Sequence, residues 1–152
     1  MLALFLRFIA PASTEEAGAF CIFKKGVIAL ATWNLTEMNR HVLICNGSTC
    51  MRKGGEEVTQ AIRDEITKLD LDAKVHTTRT RCNGRCKDGC VVIVYPEADW
   101  YFEMDEERSK EMVESHLQNG KPVKEWIAYE RSGDGMKLLN NRFKGTEKGE
   151  KK

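Results

Sequence analysis

The chain has 152 residues, of which 41% are hydrophobic and 31% are charged, so its composition is that of an ordinary soluble globular protein. Its length suits one domain with loose ends. The formal net charge of +1 gives no reason to expect a nucleic-acid or membrane partner, and we predict neither.

The N-terminal segment, residues 1–37, does not have the pattern of a compact fold. It contains two apolar patches without a clear period. No positive charge precedes the first patch and Arg7 lies inside it, which is the opposite of a secretory signal peptide; the patch is also too short to span a bilayer. We therefore expect an irregular extension, of the kind that an over-extended gene start would add, and a cytoplasmic protein.

The compact fold is predicted to begin near Met38 with a strand, a helix and a second strand. Residues 41–45 form an apolar run that ends at Asn-Gly, which predicts a strand followed by a turn, and residues 46–55 are predicted to be loop. From residue 58 to 69, apolar side chains recur on one face of a helix. Residues 75–80 are rich in β-branched side chains and predict a strand.

The second half predicts a hairpin, a helix and a polar tail. Residues 90–95 are continuously apolar, as in a strand buried on both faces, and residues 100–103 pair back on it. Asp105 is a good N-cap for a helix that ends near residue 118. A short apolar segment at residues 123–127 packs back on the core, and residues 131–152 are predicted to be a flexible tail.

This order of elements, β-α-β followed by β-β-α, predicts an α/β (α+β) domain over residues 38–130. A βαβ unit joined to a hairpin and a closing helix gives a four-stranded mixed sheet flanked by helices. That arrangement is thioredoxin-like.

Five of the six cysteines lie in two loops that follow predicted strands. They are Cys45, Cys50, Cys82, Cys86 and Cys90. The pattern is C-x4-C, then 31 residues, then C-x3-C and one further cysteine. Cys21 stands alone, and we expect it to be an inert thiol.

Four thiolates in two pairs can hold zinc, a [2Fe–2S] cluster or a [4Fe–4S] cluster. C-x-x-C does not occur in the chain, which excludes a dithiol oxidoreductase and disfavours a zinc knuckle. Two loops that each give one pair suit a two-iron cluster, so the spacing favours [2Fe–2S] over zinc. Disulfides and [4Fe–4S] remain as lesser alternatives.

Three segments resemble the thioredoxin-like [2Fe–2S] ferredoxins: CNGSTCMRKGGEEV, TRTRCNGRCKDGCVVIVYPEADWY and ESHLQNGKPV. The resemblance covers about residues 39–128 and includes both cysteine pairs at the family's spacing. The same cysteine pattern is found in the cluster-bearing small subunit of respiratory NADH dehydrogenase.

The resemblance implies a one-electron carrier, commonly a homodimer, whose [2Fe–2S] cluster is held by Cys45, Cys50, Cys82 and Cys86. The CNG-x-x-C loop is similar to that of the small ferredoxin-like proteins of anaerobic cobalamin synthesis. This similarity implies that the protein serves cobalamin (corrin) biosynthesis. A zinc-stabilised, non-enzymatic binding module is the alternative.

Cys90 departs from the family pattern, which usually has proline at this position. We expect an inert thiol at the start of the buried strand, since free cysteine is among the most buried residue types. The alternative is a ligand in place of Cys82 or Cys86, because Cys86 and Cys90 again form C-x3-C.

The two cysteine loops are conspicuously basic. A single acidic residue, Asp88, accompanies the basic residues in these loops. The basic residues are Arg52, Lys53, Arg79, Arg81, Arg85 and Lys87. We expect these charges to favour the reduced cluster and to attract an acidic redox partner.

No catalytic constellation is visible in the sequence. The three histidines, His41, His76 and His116, have the pattern of ordinary strand and helix residues. With no Ser-His-Asp, Cys-His or paired-carboxylate arrangement, we predict that the protein is not an enzyme.

Overall fold

The computed structural model describes residues 31–147 and residue 149. The expectations for Cys21 and for most of the N-terminal extension lie outside these residues. The strands, in chain order, are β1 (Arg40–Cys45), β2 (Val75–Thr80), β3 (Val92–Tyr95), β4 (Asp99–Tyr101), β5 (Ile127–Ser132) and β6 (Gly135–Leu138). The helices are α1 (Ser48–Arg52), α2 (Gly55–Lys68) and α3 (Glu106–Met112), which continues as a π-helical turn over Val113–Gln118. Short 3₁₀ turns lie at Cys86–Asp88 and Lys124–Trp126.

The strands form one mixed sheet in the order β2-β1-β3-β4-β5-β6. β1 and β2 are parallel and are joined through α2, whereas every other neighbouring pair is antiparallel. The predicted order of β-α-β followed by β-β-α is therefore confirmed, as is the thioredoxin-like fold class. The predicted count of four strands is wrong, because β5 and β6 extend the sheet to six.

The core lies between the sheet and the apolar faces of the helices. β3 is the most buried strand, and its residues Val92, Ile93 and Val94 are at most 4% exposed, as expected for a strand covered on both faces. α2 buries Val58 and Ile62 against the sheet, and most of its polar side chains face outward, with Thr59 and Glu65 buried. These contacts hold the strand ends from which the cysteine loops extend.

Two predictions about irregular segments are wrong. Residues 46–55, predicted to be loop, contain the five-residue helix α1 and the start of α2. The predicted flexible tail begins inside β5 and continues through β6, whose pairs run from Tyr129 with Leu138 to Ser132 with Gly135. β6 is an exposed edge strand, so it lacks the apolar period by which the sequence would reveal it.

Asp105 is the N-cap of α3, as predicted: its Oδ1 accepts a hydrogen bond from the backbone N–H of Arg108 at 2.9 Å. The π-helical turn after α3 carries His116, which is fully buried. Its Nδ1 lies 2.9 Å from the hydroxyl oxygen of Tyr101 on β4, so this histidine joins helix to sheet.

Candidate metal centre

The parallel pairing of β1 and β2 brings the two cysteine loops together. Cys45, the last residue of β1, lies opposite Thr80, the last residue of β2. The Asn46 N–H extends the ladder by donating to the carbonyl of Thr80 at 2.9 Å. Because both strands end at the same edge of the sheet, loops that are distant in sequence start side by side.

Glycine at position 47 allows the loops to touch. A Cβ atom at Gly47 would lie 2.9 Å from both Cα and Cβ of Cys82, closer than non-bonded carbon atoms approach. The first loop then turns into α1, which places Cys50 below the surface.

The second pair, Cys82 and Cys86, is exposed and close together, with 3.4 Å between the two Sγ atoms. The backbone N–H of Gly84 donates to the Cys82 sulfur at 3.4 Å. This N–H, followed by the Cys86 thiol, lowers the pKa of Cys82. A donor aimed at the sulfur favours the thiolate form, which is the form that binds metal.

The first pair, Cys45 and Cys50, is buried, with exposures of 2% and 3%. Burial, followed by the contact with Cys45, raises the pKa of the Cys50 thiol to about 12. Without a positive charge the Cys50 thiol stays protonated; a bound metal ion supplies that charge and deprotonates a coordinating thiol. The Cys50 sulfur also lies against Gly89, where a Cβ atom would come within 3.0 Å of it.

The donor set fits a two-iron group better than a single ion. Among the described residues, no three Cys, His, Asp or Glu side chains are grouped closely enough to share one metal ion. Two thiolates on one tetrahedral metal, at bond lengths of about 2.3 Å, have sulfurs about 3.8 Å apart. The 3.4 Å separation in the second pair is near that distance. All five cysteines of the described region are free thiols, so none is spent on a disulfide.

Cys90 lies beside the first pair rather than the second. It is 2% exposed, and its Sγ donates to the carbonyl oxygens of Cys50 at 3.2 Å and Lys53 at 3.4 Å. Burial raises its pKa. This position supports the expectation of an inert buried thiol, and it gives no support to a role in place of Cys82 or Cys86.

Half of the basic residues predicted near the cysteines are engaged within the fold. Lys53 Nζ donates to the carbonyl of Gly89 at 3.2 Å and so links the two loops. Arg79 pairs with Glu56. The third, Arg85, pairs with a buried carboxylate described below.

Arg52, Arg81 and Lys87 are exposed, and in the part of the chain that the structure describes they form no ion pair. Arg81 and Lys87 are the chain neighbours of the exposed Cys82 and Cys86, and they make the surface there positive. Lys53 is bound to a backbone carbonyl and not to a carboxylate, so the basic character predicted from the sequence survives in four of the six side chains.

Two functional features were missed at the sequence level. Asp88, interpreted as the one charge opposing the basic loop, is 1% exposed and lies in the 3₁₀ turn just after Cys86. Arg142, assigned to a flexible tail, reaches this carboxylate at 3.0 Å. Their separation of 54 residues in sequence leaves no local signal for the contact.

Comparison with known proteins decides between iron and zinc. A model of the thioredoxin-like [2Fe–2S] ferredoxin family matches residues 31–117, more than half of the chain. The chain belongs to the thioredoxin-like [2Fe–2S] ferredoxin family. It is therefore an electron carrier that binds a [2Fe–2S] cluster, and not an enzyme. The alternative of a zinc-stabilised binding module is wrong.

Individual ferredoxins agree with this assignment. The chain is 56% identical over 109 residues to a protein of Priestia megaterium provisionally described as a 2Fe-2S ferredoxin, covering 72% of this chain and 85% of the relative. A 2Fe-2S ferredoxin of Clostridium pasteurianum is 35% identical over 92 residues, covering 55% of this chain and 90% of the relative.

The fold agrees as well. The solved structure of a thioredoxin-like [2Fe-2S] ferredoxin from Aquifex aeolicus superposes with a TM-score of 0.58 at 31% identity, covering 65% of this chain and 98% of that ferredoxin. No helix among the described residues of this ferredoxin is both long and apolar enough to cross a membrane.

Proposed function

We propose that this ferredoxin holds its cluster through Cys45, Cys50, Cys82 and Cys86, with one pair of thiolates at each iron. The observation that carries the proposal is the pairing of the thiols in two touching loops. One pair is exposed with its sulfurs 3.4 Å apart, and the other is buried. When bound, the cluster supplies one-electron redox chemistry.

The chain around the thiols supports this role. Burial of Cys45 and Cys50 keeps water away from one side of the group, and the N–H of Gly84 stabilises negative charge on the Cys82 sulfur. Lys53, fixed on the Gly89 carbonyl, places a positive charge between the loops. Positive charge and N–H donors both favour taking up an electron.

Electrons should enter and leave on the side of the exposed pair. Arg81 and Lys87 give this surface a positive charge, which supports docking of a redox partner through an acidic face. The resemblance to homodimeric ferredoxins supports a homodimer, which sedimentation analysis of the purified protein would detect. Free thiols in place of disulfides support a reducing, cytoplasmic setting.

Single serine substitutions test the ligand set. Each variant at Cys45, Cys50, Cys82 and Cys86 should lose the wild-type visible absorption and the electron paramagnetic resonance signal of the dithionite-reduced protein, with altered iron and sulfide counts. The Cys90→Ser variant is the matched control, since Cys90 is equally buried in the same site. A wild-type spectrum in any of the four variants, or loss of the cluster in Cys90→Ser, would refute this ligand set.

The pathway served is a finer proposal. The similarity of the CNG-x-x-C loop to ferredoxin-like proteins of anaerobic cobalamin synthesis supports electron supply to corrin synthesis. Deleting the gene should lower anaerobic corrin production, and the wild-type gene but not the Cys82→Ser gene should restore it. Normal corrin levels in the deletion strain would exclude this pathway.

A further inference from the structure

Beyond β6, residues 139–147 form a segment that we call the C-terminal strap. The chain turns there at Asn140 and Asn141, whose φ angles of 54° and 48° lie in the left-handed region that asparagine tolerates better than most residues. The Asn140 side chain fixes the turn. Its Nδ2 donates to the carbonyls of Lys124 at 2.7 Å and Ile127 at 2.8 Å.

From this turn, the strap reaches the second cysteine loop through Arg142. One guanidinium nitrogen of Arg142, Nη2, lies 3.0 Å from Asp88 Oδ1 and 2.8 Å from Glu103 Oε1. The guanidinium also stacks over the ring of Phe102, 3.9 Å from its centroid. Asp88 is only two residues from the proposed ligand Cys86, so this contact acts directly on the ligand loop.

Arg85 completes the contact from within the loop. It pairs with the other oxygen of Asp88 and donates to the carbonyl of Phe143 in the strap at 2.5 Å. A Cβ atom at Gly145 would lie 3.3 Å from the Arg85 guanidinium, so the strap passes directly over this side chain.

The four charged groups balance one another. Arg85 and Arg142 face Asp88 and Glu103, and the Asp88 side chain is 2% exposed. Removing one partner of a buried pair is far more destabilising than removing an exposed one, because a charge is left buried without its counterpart. The loop turn is also tied to the end of β4, since the Glu103 N–H donates to the Asp88 carbonyl at 2.9 Å.

We propose that Arg142 is a positioning residue for the cluster site: it clamps Asp88 and so fixes the loop that carries Cys82 and Cys86. This inference rests on the proposed ligand set. The family model matches residues 31–117, so Arg142 and the whole strap lie outside the matched region. The clamp is therefore a feature of this chain that family membership does not assign.

Hydrogen–deuterium exchange on the apoprotein tests the clamp without the cluster. In Arg142→Gln, the amides of residues 85–90 and Glu103 should exchange about tenfold faster than in wild type, a factor that corresponds to about 1.4 kcal/mol of lost local stability. Amides of β1 should be unchanged. Arg131→Gln, which removes the same charge from the exposed end of β5, should behave as wild type.

Cluster retention and reduction potential provide the second readout. The anaerobically loaded Arg142→Gln protein should lose its visible absorption severalfold faster than Arg131→Gln in the presence of a chelator, and its reduction potential should be more negative because a positive charge near the loop is gone. Arg142→Lys keeps the charge but loses the planar guanidinium that stacks over Phe102. Its reduction potential should therefore return closer to the wild-type value than its rate of cluster loss does.

Equal exchange at residues 85–90 in the two glutamine variants would overturn the proposal. Faster exchange spread evenly over β1 and the loop would also overturn it, since that result shows general destabilisation. These outcomes are separate from the serine series: a wrong ligand set leaves the apoprotein exchange result intact, and an inactive clamp leaves the ligand set intact.

Discussion

At the residue scale, the cysteine site depends on absent side chains as much as on present ones. Gly47 lets the first loop rest on Cys82, and Gly89 lets the second loop rest on the Cys50 sulfur. Each glycine therefore leaves the space in which one loop contacts a cysteine of the other. The two cysteine loops can approach each other because neither position carries a side chain.

A second residue-scale feature is the buried pair of Tyr101 and His116. The tyrosine hydroxyl accepts from the N–H of Val123 at 3.2 Å and is hydrogen-bonded to His116 Nδ1 at 2.9 Å. Nε2 lies 3.8 Å from a carboxylate oxygen of Glu97. The imidazole is held neutral within the core.

The pH dependence of stability should report this histidine. Burial lowers the pKa of His116 to about 4; Glu97 opposes the shift, whereas Arg40 and Lys124 add to it. Because the folded pKa is below the unfolded value of about 6.5, the unfolded chain binds a proton first as pH falls, and stability is lost between about pH 6.5 and pH 4.

Urea unfolding of the apoprotein measures this effect. Between pH 7 and about pH 4.5, wild type should lose about 2 to 3 kcal/mol more unfolding free energy than His116→Gln, which retains an acceptor for Tyr101. Parallel pH profiles for the two proteins would show that His116 is not the group responsible.

At the scale of elements, β5 joins the core whereas β6 forms the outer edge of the sheet. Ile127, the first residue of β5, is fully buried, and Ala128 is 3% exposed. Met136 on β6 is 44% exposed. The hairpin is therefore anchored by the start of its first strand.

Two substitutions in this hairpin should differ sharply. Ile127→Ala removes a fully buried side chain and should lower the unfolding free energy by about 2 to 5 kcal/mol. Met136→Ala, in the partner strand, should change it by less than about 0.5 kcal/mol. Denaturant unfolding of both variants measures the difference. Equal stability of Ile127→Ala and Met136→Ala would contradict this account of the hairpin.

The contrast between buried and exposed strands also explains which elements can be predicted from the sequence. The runs that form β1, β3 and α2 carry periodic or continuous apolar residues, β2 is rich in β-branched residues, and each was predicted. β6 carries no such pattern; its position depends on pairing with β5 and on the long-range contacts of Asn140 and Arg142. One local signal is present between β5 and β6: Ser-Gly-Asp-Gly, with Gly133 at φ 56°, is typical of a turn between two strands. The hairpin at this turn was not predicted.

The cysteine site also has features that the sequence predicts and features that it does not. Spacing and resemblance selected four cysteines, and the structure brings them together as two pairs. The inert interpretation of Cys90 followed from its residue type. What spacing could not reveal is that Cys90 lies under α1 beside Cys50, since α1 itself was predicted to be loop.

At the scale of the whole molecule, charge near the cluster matters more than the net charge of +1. The exposed surface beside Cys82 and Cys86 carries Arg81 and Lys87, whereas Arg85 is neutralised by Asp88. The surface beside the exposed cysteine pair is therefore locally positive on a nearly neutral protein.

Small redox probes of opposite charge should reveal this local field. The reduced protein should be oxidised by anionic ferric EDTA more slowly as ionic strength rises from about 10 mM to 1 M, because the Debye length falls from about 30 Å to 3 Å. Cationic hexaamminecobalt(III) should show the reverse trend. Arg81→Gln should flatten both trends, and Lys110→Gln on α3 should leave them unchanged; salt-independent rates in wild type would refute the positive surface.

The contact of Asp88 with Arg142 also sets an order of assembly during synthesis. A chain that leaves the ribosome N-terminus first exposes Cys45 and Cys50, then Cys82 and Cys86, long before residue 142 emerges. All four thiols are available while the second loop still lacks its distant partner. The second loop therefore gains its contact with Arg142 only after the last strand and the strap have been translated.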